Sequence, residues 1–221
     1  MGHIADMSRR VSVAPTPVLE STPSRVSRDH AFDVAMGWFL GGRRIDMSAL
    51  ARDLGVGRST LYRWFTSREA LLGDISWRIM ADTIGRIEAR DHGVGGSRER
   101  FLRVYGRLTE TVRRFPPLMT FLADDPDYAL RVLTSSYGTV QGTLIAWVAR
   151  QLDVMDELPD TVDIDDLAYA IVRLGESFLW SDMITGSPPR ADKAIAMIEL
   201  LLAGACAGHR PVAYTKRGSR K

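Results

Sequence analysis

A chain of 221 residues, 45% hydrophobic and 25% charged, holds one large domain or two small ones and has the apolar mass for a core. No run approaches the roughly 18 apolar residues of a spanning helix and no apolar leader opens the chain. The lone Cys206 excludes a disulfide framework or a cysteine zinc cluster, so the expectation is a protein of a reducing cytoplasm without membrane partners.

The net charge of +2 is unevenly spread. Residues 1–72 carry ten Arg and seven acids, residues 73–208 fourteen bases and twenty acids, and residues 209–221 five bases and no acid. That split suits an anionic partner at one end of the molecule.

Residues 1–26 hold Pro15, Pro17 and Pro23 among many Ser and Thr without a period, and read as a flexible extension. Arg25 and Arg28 at its end either reach a minor groove or are solvated. From Ser27 a helix sets Ala31, Val34, Ala35, Trp38 and Phe39 on one face, and Gly41-Gly42 stops it. Asp46 caps a short helix from Met47 to about Leu54, and a third helix runs from Arg58 to Phe65. Thr66-x-x-Glu69 reads as a capping box opening a fourth helix to about Ala89. The Gly-rich stretch 91–97 is a plausible domain junction. Five helices are expected beyond it: about 98–115, 117–123, a long one from the Asp125-Pro126 cap to about Leu152, 164–185 behind Asp163, and 189–207. With no strand-type alternation, the expectation is an all-α fold of about nine helices. Its parts are an extension (1–26), a helix-turn-helix domain (27–72), a helical effector-binding and dimerisation domain (73–208) and a basic tail (209–221).

The chemistry concentrates in "ARDLGVGRSTLYRWFTSREALL", Ala51 to Leu72. Two short helices joined by a tight Gly-containing turn make a helix-turn-helix. Leu50, Ala51, Leu54, Val56 and Leu61 pack the pair, and Gly55 supplies the positive φ that leaves the first helix. Arg58, Ser59, Tyr62 and Arg63 then face outward, with Thr60 and Trp64 at the edges. Arg58 suits paired hydrogen bonds to guanine O6 and N7 in the major groove, and Ser59, Thr60 and Tyr62 suit phosphate. Arg68, in the first turn of the fourth helix, is badly placed for the helix dipole, and a phosphate would account for it. Phe65 reads as core; Trp64 divides between packing and contact.

The stretch "AFDVAMGWF…GG…MSALARDLGVGRSTLYRWFTSREALL", Ser27 to about Ile75, resembles the DNA-binding domain of the TetR family of bacterial repressors. The resemblance implies an all-α homodimer that binds an operator in double-stranded DNA and a small effector in its C-terminal part. It places base and phosphate contacts on Ser48, Arg58, Ser59, Thr60, Tyr62, Trp64 and Arg68. Departures are Gly57 where a Ser cap is usual, Trp64 where His is common, Arg68 for the usual Lys, and Arg43-Arg44 after the first helix's glycines.

In the C-terminal half no nucleophile–base pair, HxxxH or HExxH pattern exists, so no catalytic residue, metal site or cofactor is expected. "DDPD" and "DIDD" read as helix caps. Helix 164–185 is apolar on several sides, and with the last helix it suits a four-helix dimer interface, where the family resemblance also puts it. Arg173 and Glu176 form an i, i+3 pair, or face a cavity. Tyr105, Thr109, Tyr137 and Gln141 are further polar points for a ligand, with Met119, Phe121, Leu122, Trp147 and Trp180 as apolar walls. "GESFLWSDMITGSPPRADKAI" resembles a TetR subfamily linked to quorum-signal or lactone degradation, implying an apolar effector with a lactone or acyl head. The expected function is a repressor released from a near-palindromic operator by that effector. Its rivals are a small-molecule carrier or lactone- or ester-acting enzyme with a vestigial DNA-binding head, and a constitutive architectural DNA binder.

Overall fold

The structure, a computed structural model, describes residues 26–135 and 139–207. The extension up to Arg25, Tyr137 and the basic tail lie outside the described residues. Every regular element among them is helical. The head comprises α1 (Arg28–Leu40), α2 (Met47–Asp53) and α3 (Arg58–Trp64). Next come α4 (Arg68–Ala89), α5 (Ser97–Arg113), α6 (Pro116–Asp124) and α7 (Pro126–Thr134). The chain ends with α8 (Thr139–Asp153), α9 (Ile164–Leu179), α10 (Ser181–Thr185) and α11 (Ala191–Cys206).

The caps account for most starts. Ser27, Asp46, Asp125 and Asp163 accept the backbone N–H three residues on, at 2.7–3.2 Å. This is the work of the second acid of "DDPD" and the first of "DIDD", and among the described residues no three His, Cys, Asp or Glu side chains gather as a metal site.

Three expectations need correction. The fourth helix is capped by Ser67, whose hydroxyl accepts from Ala70 N–H at 3.0 Å; Thr66 turns the chain at φ +31, so Glu69 stands one position too early for a capping box. The long helix from Pro126 is two helices, because Ser135 leaves α7 in extended backbone at ψ 137. The helix expected over 164–185 also divides, at Trp180 (φ −109, ψ 19), which aims α10 away from α9. Eleven helices therefore stand where about nine were expected.

Two apolar clusters hold the molecule. The first joins α1–α3 and the start of α4 to Leu118, Leu122, Tyr128, Ala129, Val132 and Leu133 of α6 and α7. The second joins the end of α4 to α5, α8, α9 and α11 around Phe101, Val148, Ile171 and Leu202. Each fully buried Leu, Ile or Phe removes enough apolar surface to contribute about 1.5–3 kcal/mol. The first cluster does not stop at residue 72: the head shares its core with the body, so α4, α6 and α7 position the reading helix. Beside the second cluster, the Asp91 side chain is 1% exposed and binds Arg103 at 3.0 Å and Arg107 at 3.3 Å, pinning the α4–α5 loop.

Candidate nucleic-acid interface and cavity

The α2–α3 turn forms as the sequence requires. Gly55 takes φ +65, a conformation costly for any side chain, and Val56 N–H returns to the Ala51 carbonyl at 3.0 Å. Leu50, Ala51 and Leu61 are buried between the two helices, which turns the opposite face of α3 outward. There Arg58, Ser59 and Arg63 are exposed and Tyr62 is 38% exposed; Thr60 is half-buried. None of the Arg58, Ser59, Tyr62 and Arg63 side chains has a hydrogen-bond, ion-pair or ring partner among the described residues. Ser48, at the start of α2, is exposed beside them. Gly57 caps α3 without a side chain, leaving the helix's first N–H groups open.

Three other cations of the head, Arg28, Arg43 and Arg68, are engaged within the chain, whereas Arg44 and Arg52 are exposed. Arg28 donates from Nε to the Trp64 carbonyl at 3.3 Å, pairs with Asp74 at 3.5 Å, and lies 5.0 Å from the Phe65 ring centre. It ties α1 to the end of α3 and to α4, rather than being merely solvated. Arg43 stacks 3.2 Å from the Trp38 ring centre and pairs with Asp53 at 3.3 Å. Arg68, for which the sequence suggested phosphate, has a different answer: Nε donates to the Ile45 carbonyl at 2.7 Å and the guanidinium lies 4.4 Å from the Tyr128 ring centre. It joins the α1–α2 loop to α7. Trp64 is half-buried against the first apolar cluster.

In the body, Tyr105, Thr109, Glu176 and Trp180 do come together, around a cavity of about 50 Å³ whose other walls include Met80, Leu108, Val140 and Leu144. Gln141 stands behind it, donating to Glu176 at 3.3 Å. Arg173 closes the outer side, donating to Glu176 at 2.7 Å and to the Thr134 carbonyl at 3.4 Å. The pair is an i, i+3 ion pair whose carboxylate lines the cavity. Burial pushes the Glu176 carboxyl from 4.5 up to about 7, although Arg173 and Gln141 pull it back. Burial, and then Glu176, push the Tyr105 phenol upward too, and its hydroxyl has no hydrogen-bond partner among the described residues. Thr109 spends its hydroxyl on the Gly106 carbonyl at 2.8 Å.

Met119, Phe121 and Leu122 do not line this cavity. On a helix as short as α6, Leu118 faces the cavity while Phe121 and Leu122 turn into the shared head–body cluster, where Phe121 meets Phe39 edge-on at 5.9 Å. Sequence reasoning missed Leu108, Val112, Leu118, Leu133 and Gly175 as lining residues. Gly175 carried a signal: a glycine inside an apolar helix marks a close approach, and a Cβ there would overlap the Tyr105 hydroxyl.

On the far side, Tyr169 of α9 is 53% exposed, and Met197 and Leu200 of α11 are 38% and 64% exposed. Ala196, Ala203 and Gly204 flank them on the same exposed side of α11.

Residues 96–203 match the family model described as the tetracyclin repressor-like C-terminal domain. The chain also resembles the solved structure of the R. erythropolis transcriptional repressor QsdR from the TetR family. Identity there is 28% and the TM-score 0.73, covering 80% of this chain and 94% of that one. Over residues 96–203 and in its overall fold, the chain is similar to TetR-family repressors. The TetR repressor AlkX from Dietzia sp. strain DQ12-45-1b, implicated in biodegradation of n-alkanes, shares the fold at 20% identity and a TM-score of 0.56, with 83% of this chain and 96% of that one covered. A comparison with curated proteins returned no match. The similarity to TetR-family repressors supports a DNA-binding transcriptional regulator rather than an enzyme. Among the described residues, no helix is long and apolar enough to cross a membrane.

Proposed function

We propose that this protein is a TetR-family homodimeric repressor of the cytoplasm that a small amphiphilic effector releases from a near-palindromic operator. Each subunit lays α3 in the major groove of one half-site. Arg58 reads a base edge; Ser48, Ser59, Thr60, Tyr62 and Arg63 hold sugar and phosphate, with Trp64 and Arg68 at the margin of that footprint. The observation that carries this reading is the unpartnered outer face of α3. Four polar or charged side chains share that one face without partners among the described residues, while Arg28, Arg43 and Arg68 of the same head are engaged and the exposed Arg44 and Arg52 lie off α3.

Residues 27–72 form the reading head and 73–208 the sensing and dimerising body, although the two share a core. The exposed apolar stripe of α11 with Tyr169 of α9 supports pairing with a second copy. The cavity supports ligand response over constitutive architectural binding. Its apolar walls and its polar end at Tyr105 and Glu176 suit an uncharged acyl or lactone head on an apolar tail. An effector changes operator affinity only if it binds one head arrangement better than the other. The shared core through α4, α6 and α7 is the route by which cavity occupancy reaches α3.

The test is a footprinting titration on the DNA flanking the protein's own gene. Two protected half-sites about one helical turn apart, with affinity falling steeply as salt rises, are the expected result. Protection without sequence preference would refute the reading.

A further inference from the structure

A second cavity, of about 100 Å³, lies between the first and the DNA-reading head. Its walls include Phe39 of α1, Ser76 and Ile79 of α4, and Phe115 before α6. The two cavities have Met80, Val112, Leu118 and Leu133 in common, so they are neighbouring chambers divided by four side chains. Of the four, Met80 is unbranched and turns about three bonds, which makes it the easiest partition to move. Joined, the two chambers form one elongated space with apolar walls.

A separate observation marks the second chamber as incomplete. The Ser76 hydroxyl is buried on its wall, in a residue only 7% exposed, and has no hydrogen-bond partner among the described residues. A buried hydroxyl left unpaired is costly. An atom from outside the chain would satisfy it.

Resting on the effector reading above, we propose that the ligand is a linear amphiphile spanning both chambers. Its uncharged head lies between Tyr105 and Glu176, its tail passes Met80, and an oxygen on the tail meets Ser76 beside Phe39. The head chamber supplies binding. The tail chamber supplies the signal, because only there does the ligand touch α1, the helix that Arg28 fastens to the end of α3. Tail length is then the variable the regulator senses.

The test uses straight-chain primary alcohols from butanol to dodecanol and the matching α,ω-diols, titrated calorimetrically into the full chain and into its DNA complex. Affinity is expected to rise about fourfold per added methylene until both chambers are filled. Release of DNA begins only with members long enough to pass Met80. Ser76→Leu fills the second chamber, so it weakens the long alcohols at least about tenfold, leaves the short ones as in the wild type, and abolishes release. Ser76→Val repeats the test with a smaller intrusion should Ser76→Leu not fold. Ser76→Ala lowers the affinity of each long diol relative to its alcohol by about fivefold.

Binding and release that do not depend on tail length, or loss of the short alcohols in Ser76→Leu, would overturn the two-chamber proposal while leaving the effector reading intact. If no alcohol binds or shifts DNA affinity, the two-chamber proposal falls, while the effector reading falls only if the matching lactones also fail to bind.

Discussion

Replacing Glu176 with Gln tests the polar end of the cavity through stability alone. The Glu176 side chain is 12% exposed, and its pKa moves from 4.5 to about 7. Its folded-state pKa lies above the unfolded one, so the folded state holds the proton more tightly. Below pH 4.5 the carboxyl is neutral in both states and costs nothing. As pH rises toward 7 the unfolded chain ionises first, and stability falls across that window before levelling off. One pKa unit is about 1.4 kcal/mol, so the loss is on the order of 3 kcal/mol. Gln cannot ionise, and the Glu176→Gln variant lacks this slope. The pull of Arg173 is already contained in the value of about 7, so near pH 8 the variant is more stable than the wild type by roughly 3 kcal/mol, and near pH 4.5 it gains nothing. Urea denaturation at fixed protein concentration, at both pH values, reads the difference directly. Parallel pH profiles for the two proteins would show that Glu176 is not held neutral by burial.

Gly175→Ala drives a methyl group into the Tyr105 hydroxyl and costs about 1–3 kcal/mol by urea denaturation; an unaffected midpoint would mean Tyr105 is free to move. Arg68→Lys keeps the charge but loses the Ile45 carbonyl bond and the stacking on Tyr128, a loss of about 1–2 kcal/mol. A neutral result there would return Arg68 to phosphate binding as its main role. Leu200→Arg puts a charge in the exposed stripe of α11 and converts the dimer to monomer in sedimentation velocity; a persistent dimer would place the interface elsewhere.

The head was legible because each of its turns depends on one or two residues with no substitute. Asp46 caps α2, Gly55 takes a positive φ, and Leu50, Ala51 and Leu61 at helical spacing leave one face for packing and one for reading. Those are local rules that one sequence displays. The body was legible in outline only. Tyr105, Glu176 and Trp180 stood out as polar or aromatic breaks in apolar helices, and they do meet. Whether an apolar side chain on α6 faces cavity or core depends on how a nine-residue helix is rotated in tertiary packing, which its own period does not specify, so Phe121 and Leu122 were misplaced. The double break of the long helices was not legible because neither Ser135 nor Trp180 is itself a strong helix stop. The internal partners of Arg68, Ile45 and Tyr128, were not legible because they are remote in sequence.

The most direct measurement is fluorescence anisotropy of the inverted-repeat DNA titrated with wild type, Arg58→Ala and Tyr62→Phe, with dimer state and stability checked for each. The expected result is a loss of specific binding of about 1–3 kcal/mol for Arg58→Ala and a smaller loss for Tyr62→Phe, in proteins that remain folded dimers. Undiminished operator affinity in both variants would contradict the assignment of α3's outer face to DNA.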